Sequence, residues 1–546
     1  MIIIHNYYPK YTKKLLELGM AKKGDGFKIS STFCQKPELL FNEVAKVGGE
    51  LYEIVRDYGS CFYVDRLQGG SYFFAYPFSK ELIKTYDDLT GGNFLGLQLH
   101  ELAETRTYDW NRIKTQLKEQ NLSWSEENIY EAVKKVSYNK EFPHFSQGTA
   151  GEYASLTPPE TVTDWYDDVE WVVRSRMERW DGKIVNCDSC RLYARIEDDN
   201  NIEVSFVEIG GLTPRMRLQF ALRRGMSRAR GKKWGAYLEP WNDTDVTAYC
   251  FMKDGENEWN VTKKNFVYFA AGPDGGTSMS LAKRMMYCSL FAGADYFSEE
   301  WGQANTFYDL ENFEFAPYGA IKKDFFDFSR SFEAVKAVAP IAFVLPKEYK
   351  IFPTRHVIPY TNNVTDGDYF EISNRINRLF YNDSDLGYED KYLTTGRYGS
   401  LFDIIYEDSY GEPLSEYELL VDFSGRLDKN NERIVDGYDE EKLTATLDKF
   451  VAEYLPFEYS KDRDIDYMLF ENEGRKYAAF FNHNGITKDV NNGERVNPEA
   501  TVELGVRFKT GRIIEVLNVC DCSYTLDEEN IRVTLDGGEF IAVRYA

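Results

Sequence analysis

Five apolar stretches of this sequence run into carboxylates: Val64-Asp65-Arg66, Gln98-Leu99-His100-Glu101, Phe206-Val207-Glu208, Tyr237-Leu238-Glu239-Pro240-Trp241 and Phe297-Ser298-Glu299-Glu300-Trp301. An acid placed directly after a buried strand sits at the rim of a low-dielectric crevice. Burial and neighbouring charge there push carboxyl pKa values apart, so one group works as an acid and another as a base. Hydrolysis of a glycosidic bond needs such a pair. Trp241 and Trp301 follow two of these acids and would offer flat apolar faces to a sugar ring. A single strand-end acid is ordinarily a solvated turn residue or a helix cap. Five of them, two followed by Trp, ask for more than that.

The elements that would position these acids alternate. Short apolar runs predict strands at Ile2–His5, Phe27–Thr32, Cys61–Asp65, Phe94–Glu101, Lys183–Cys187, Val204–Glu208, Trp234–Glu239 and Ala294–Glu299, with helical periodicity between several of them. Thr213-Pro214 reads as an N-cap and first helical residue, with Gly231 as the stop. A second helix runs from Thr277-Ser278 to Gly293, and a third covers Tyr318–Ser331. Eight strand–helix units over the first 338 residues predict an α/β fold, a (β/α)8 TIM barrel, with a long insertion at about 105–181 after the fourth strand. An open doubly wound sheet is the alternative, although no G-x-G-x-x-G turn follows any strand. If the fifth strand were absent, the count would shift and Glu299 or Glu300 would become the strand-seven acid; Glu208 is a further candidate.

Past Ala339 the pattern changes. Pro340–Leu345, Leu401–Tyr406 and Leu419–Phe423 read as strands, and Ile372–Phe380 and Asp439–Leu455 as helices, predicting a small α/β (Rossmann-like) domain over 339–458. From 459 to 546 the apolar residues recur with period two, which predicts an antiparallel β-sandwich.

Composition narrows the function. The chain has 546 residues, with 43% hydrophobic and 28% charged, which is globular usage. Lys plus Arg number 65 against 89 Asp plus Glu, a formal charge of −24. An acidic chain repels phosphate backbones and anionic membranes, so nucleic-acid and membrane partners are not expected. Residues 341–546 carry 40 acids and 23 bases, so 17 of the 24 net charges lie there and the barrel region is nearly neutral. All nine Trp residues fall at or before position 301, five of them in the insertion. The start, MIIIHNYYPK, lacks a basic segment and a long apolar run, so the expected location is cytoplasmic, although a trimmed secreted chain is the alternative. Eight Cys in this length fit a reducing compartment.

Three segments carry a resemblance. Phe94–Glu101, Lys233–Trp241 and Gly293–Gly302 resemble strand ends of the barrel glycoside hydrolases of clan A, which include many β-galactosidases. Pro317-Tyr318-Gly319 and the helix after it resemble the closing helix of such barrels. The order of barrel, α/β domain and β-sandwich is similar to that of β-galactosidases with a trimerisation-like domain. The resemblance implies a retaining hydrolase of neutral oligosaccharides or glycoconjugates. It implies Glu101, after strand four, as acid/base, and Glu239, ending strand seven, as nucleophile. Asp65, His100, Glu208, Tyr237, Trp241, Glu299, Glu300 and Trp301 are the expected substrate-binding residues. The clan's usual residue before the strand-four acid is Asn; here it is His100, which can still donate to a hydroxyl. A homo-oligomer built through the α/β domain is implied as well. The competing class is a carbohydrate-binding or oligomeric scaffold that kept the barrel without catalysis.

No metal or cofactor is expected. Cys187-Asp188-Ser189-Cys190 is a C-x-x-C without a second pair nearby; Cys520-Asp521-Cys522 lies in another domain with different spacing. The eight bases between Arg215 and Lys233 read as the outer face of a barrel helix rather than a nucleic-acid patch. No G-x-S-x-G elbow exists for a serine hydrolase.

Overall fold

The computed structural model describes residues 1–30, 48–65, 80–135, 147–210, 215–239, 279–300, 302–307, 309–354, 366–380, 398–409, 415–460, 465–489, 492–497 and 499–546. Eight strands stand in chain order in one closed barrel. They are β1 (Ile2–Asn6), β2 (Gly26–Ser30), β3 (Phe62–Asp65), β4 (Phe94–His100), β5 (Ile184–Asp188), β6 (Val204–Gly210), β7 (Lys233–Glu239) and β8 (Tyr296–Glu299). The pairs β1/β2, β2/β3, β3/β4, β4/β5, β5/β6 and β7/β8 are parallel. Each expected strand is present within a few residues of its expected bounds, the fifth included. The barrel is thus a (β/α)8 barrel, and the open-sheet alternative falls. By internal packing the chain divides into two compact units, Ile2–Glu208 with Lys350–Phe370, and Ile209–Tyr349 with Glu371–Ala546 and Met1.

In the first unit, the described residues between β4 and β5 are mostly helical. Leu102–Glu119, Glu126–Lys135, Gln147–Ala154 and Val162–Arg179 precede β5. Its tryptophans build a core. Trp110, Trp165 and Trp180 are at most 1% exposed, and Trp110 stacks on Trp124 and donates to Asp168. These three rings are spent on packing and do not line a surface.

In the second unit, Ile341–Leu345, Phe402–Tyr406, Leu419–Asp422 and Ile434–Asp436 form an all-parallel sheet with Asp366–Phe380 and Glu440–Tyr454 as helices, the α/β arrangement expected. The C-terminal residues form antiparallel sheets. One has five strands and recruits Val335–Ala337, a strand invisible to periodicity because it is three residues long. A second has four strands, Phe457–Tyr459, Val502–Phe508, Asn530–Leu535 and Ser523–Leu526. Phe457 touches Phe480 of the first sheet and Phe508 of the second.

The basic helix Met216–Arg230 ends at Gly231 with φ +68°, the left-handed stop that glycine accepts. Its face is not solvated. Arg217, Arg223 and Arg224 are 3–4% exposed, Arg224 and Arg228 both bond Asp403, and Arg217 pairs with Asp466. Among the described residues no helix is long and apolar enough to cross a membrane.

Candidate active site

Strand register decides which residues share a face. Partners across a parallel pair point the same way, and residues two apart on a strand do too. Lys28 pairs with Tyr63, Tyr63 with Gly96, His100 with Cys187, and Cys187 with Phe206. Lys28, Tyr63, Asp65, Gln98, His100, Cys187, Phe206 and Glu208 therefore lie on one face of β2–β6. That face is the inner one. The Tyr63 and Phe206 rings meet at 5.6 Å although β3 and β6 are not neighbours, a contact that must cross the interior. The opposite face turns to a helix, where Asn186 and Ser205 both bond Glu197 of Ala194–Asp199.

Near the C-terminal ends of these strands stand four expected site residues. Asp65 is fully buried and bonds Lys28 Nζ at 3.3 Å. His100 is 6% exposed, its Nε2 lying 3.8 Å from Glu208 Oε1 and 4.0 Å from Glu101 Oε2. Glu208 is 3% exposed. Glu101 is the first residue past β4 and is partly open, its side chain 27% exposed. Its backbone sits at φ +47°, ψ +43°, and its N–H donates to Cys187 O at 2.7 Å. Left-handed backbone costs a non-glycine residue roughly 1–2 kcal/mol, and such strain gathers where a side chain must be aimed.

Three further residues complete this group: Cys187, which the sequence offered only as half of a C-x-x-C, and Glu104 and Lys28, which it did not single out. Cys187 faces inward beside His100, and burial followed by the charges of Glu208, Asp188, Asp65 and Glu101 pushes its thiol well above the ordinary range. Glu104 lies one helical turn after Glu101. Burial pushes its carboxyl up to about 7, against the opposing pull of Arg191. The i, i+3 spacing of two acids was its signal. Lys28 also had one, as the lone charge in an apolar strand.

In the second unit, β7 and β8 carry the rest. Tyr237 pairs with Ser298 and Leu238 with Glu299. Tyr237 and Glu239 therefore share a face with Ser298, and Glu299 belongs to the opposite face. The opposite face meets the helix Pro317–Ser329, where Phe297 touches Phe325 and Lys322 Nζ holds both oxygens of Glu299 at 3.0 and 2.9 Å. Lys322 also reaches Asn305 and Thr306. Glu239 is the last residue of β7, 9% exposed, and Gly210 of β6 abuts it. A Cβ added to Gly210 would stand 2.5 Å from Glu239 O and 2.8 Å from its Cβ. Glu300 is 2% exposed and its N–H donates to Leu238 O. Trp241 and Trp301 lie outside the described residues.

The arrangement offers acids at the C-terminal ends of barrel strands, one on a left-handed turn, one ending the seventh strand, and two, Asp65 and Glu299, paired with lysine. No family model matches the chain, and no curated protein matches it. Several solved structures are similar to it at low identity. Gan42B, a GH42 β-galactosidase from G. stearothermophilus, is 8% identical over 100% of this chain and 98% of that chain, with a TM-score of 0.48. A β-galactosidase from Bacillus circulans sp. alkalophilus is 8% identical over 100% and 99%, with a TM-score of 0.47. Alpha-L-fucosidase isoenzyme 2 from Paenibacillus thiaminolyticus is 9% identical over 98% and 89%, with a TM-score of 0.39.

Proposed function

We propose that the protein is a retaining glycoside hydrolase of β-galactosidase type, acting on a neutral oligosaccharide or glycoconjugate. The observation that carries this reading is the left-handed backbone of Glu101 directly after the fourth barrel strand. A non-glycine residue held there has its carboxyl aimed by the turn and by the N–H bond to Cys187 O. Glu101 is the acid/base and Glu239, at the end of the seventh strand, the nucleophile. Glu101 gives its proton to the leaving oxygen while Glu239 attacks the anomeric carbon. The glycosyl–Glu239 ester is then opened by water, whose proton Glu101 takes. Asp65, His100, Glu208, Tyr237, Glu300, Trp241 and Trp301 bind the sugar.

The test is turnover of a panel of aryl β-glycosides. Glu239→Gln is expected to abolish turnover, and Glu101→Gln to lower it by about 10²–10⁴-fold on substrates with poor leaving groups. Proton NMR of the first product should show the β-anomer. An α-anomer first would mean inversion, and activity surviving Glu239→Gln would remove the assigned nucleophile. A wild-type chain that binds sugars and turns over none would be a carbohydrate-binding scaffold.

A further inference from the structure

We propose that His100, Cys187 and Glu208 together bind one divalent cation of the zinc type. The proposal goes beyond glycoside hydrolysis and does not depend on it; with the metal bound, His100 and Glu208 serve the cation and reach a sugar only through its open position. Register puts these three residues on one inner face of the barrel, since His100 pairs with Cys187 and Glu208 stands two residues past Cys187's partner Phe206. One ligand atom from each lies within 4.8 Å of the other two. Any three points so spaced have a common centre no more than about 2.8 Å from each, against metal distances of about 2.0–2.3 Å for zinc. Side-chain movements of roughly 0.5–0.8 Å close that gap.

The donor set chooses the metal. Imidazole nitrogen, thiolate and one carboxylate suit zinc and its neighbours, whereas magnesium and calcium take oxygen only. Three protein ligands leave a fourth position for water or a substrate oxygen. The surroundings favour a cation. Cys187 is fully buried among Glu208, Asp188, Asp65 and Glu101, and of these Asp65 already holds Lys28. Three of these acids, Asp65, Asp188 and Glu208, are at most 3% exposed, and burying acids is costly unless they are paired or hydrogen-bonded. Gln98, one layer below His100 on the same face and fully buried, has no hydrogen-bond partner for either amide atom among the described residues. Binding converts the thiol to a zinc-bound thiolate, and the proton leaves to solvent. Cys190, the other half of the C-x-x-C, is not one of the three; its N–H donates to Glu104.

The test uses the full chain after dialysis against a chelator. Zn2+ titrated by calorimetry is expected to bind with one equivalent, and Co2+ to show a thiolate-to-cobalt charge-transfer band. Cys187→Ser should remove the band and weaken Zn2+ binding by about tenfold or more, and Cys190→Ser should change neither. Circular dichroism checks that Cys187→Ser folds. If it does not, His100→Gln and Glu208→Gln decide, each expected to weaken binding by a similar factor. Absence of stoichiometric binding by the wild type, a band that survives Cys187→Ser, or unchanged affinity in these variants overturns the site. No outcome depends on glycoside turnover.

Discussion

Lys322 Nζ lies 2.9 and 3.0 Å from the two carboxylate oxygens of Glu299, a buried pair between β8 and the helix Pro317–Ser329. Breaking such a pair leaves a lone buried charge and costs roughly 3–5 kcal/mol. Lys322→Met is expected to lower the unfolding free energy by that order in urea denaturation. Glu299→Gln keeps acceptor capacity and should cost less while leaving aryl glycoside turnover within a few fold. A complete loss of turnover in a folded Glu299→Gln would move the chemistry to Glu299.

Gly210 has room for hydrogen only, because a Cβ would stand 2.8 Å from the Cβ of Glu239. Gly210→Ala should displace Glu239 and lower stability by about 1–3 kcal/mol, as overpacking does. Displacement by a fraction of an ångström should cost kcat well beyond what the stability loss explains. Stopped assays at a temperature where the variant is fully folded would separate the two effects.

Asp403 collects Arg224, Arg228 and the Tyr417 hydroxyl within a buried site. Asp403→Asn removes the charge facing two arginines, and a loss of roughly 3–5 kcal/mol is expected. Gly225 lies on the same helix, and a Cβ there would collide with the Ile404 carbonyl. Gly225→Ala should therefore destabilise although alanine favours helix. Thermal unfolding of both variants reads this directly.

Glu104 sets a pH dependence. Its folded carboxyl titrates at about 7 against an ordinary 4.5. Below pH 4.5 both states are protonated and there is no penalty. As pH rises toward 7 the unfolded chain ionises first, so stability falls, and it levels off above 7. At about 1.4 kcal/mol per unit the loss approaches about 3 kcal/mol. Asp109, also pushed up to about 7 by burial, acts in the same direction. Melting temperatures of wild type should fall from pH 5 to pH 8, and Glu104→Gln should fall less. An equal fall in both would clear Glu104.

Much of the architecture was legible in the chain. The eight strands could be read because each is a compact apolar run, and the strand-end acids because a carboxylate interrupts the run where the strand ends. Glu239 on the seventh strand followed from that count. What the sequence could not contain was facing. Period two says that Glu299 and Glu300 point apart, but not which of them meets Lys322; that depends on which face the helix covers. The basic residues between Arg215 and Lys233 read as the outer face of a barrel helix, but the sequence does not say what meets that face; Asp403 and Asp466 arrive from distant strands. His100, Cys187 and Glu208 are likewise scattered along the chain, and only the registers of β4, β5 and β6 bring them to one inner face. Local pattern determined the elements, since strand and helix formation depends on neighbours in sequence. Tertiary structure decided which charges are paired, because pairing depends on neighbours in space.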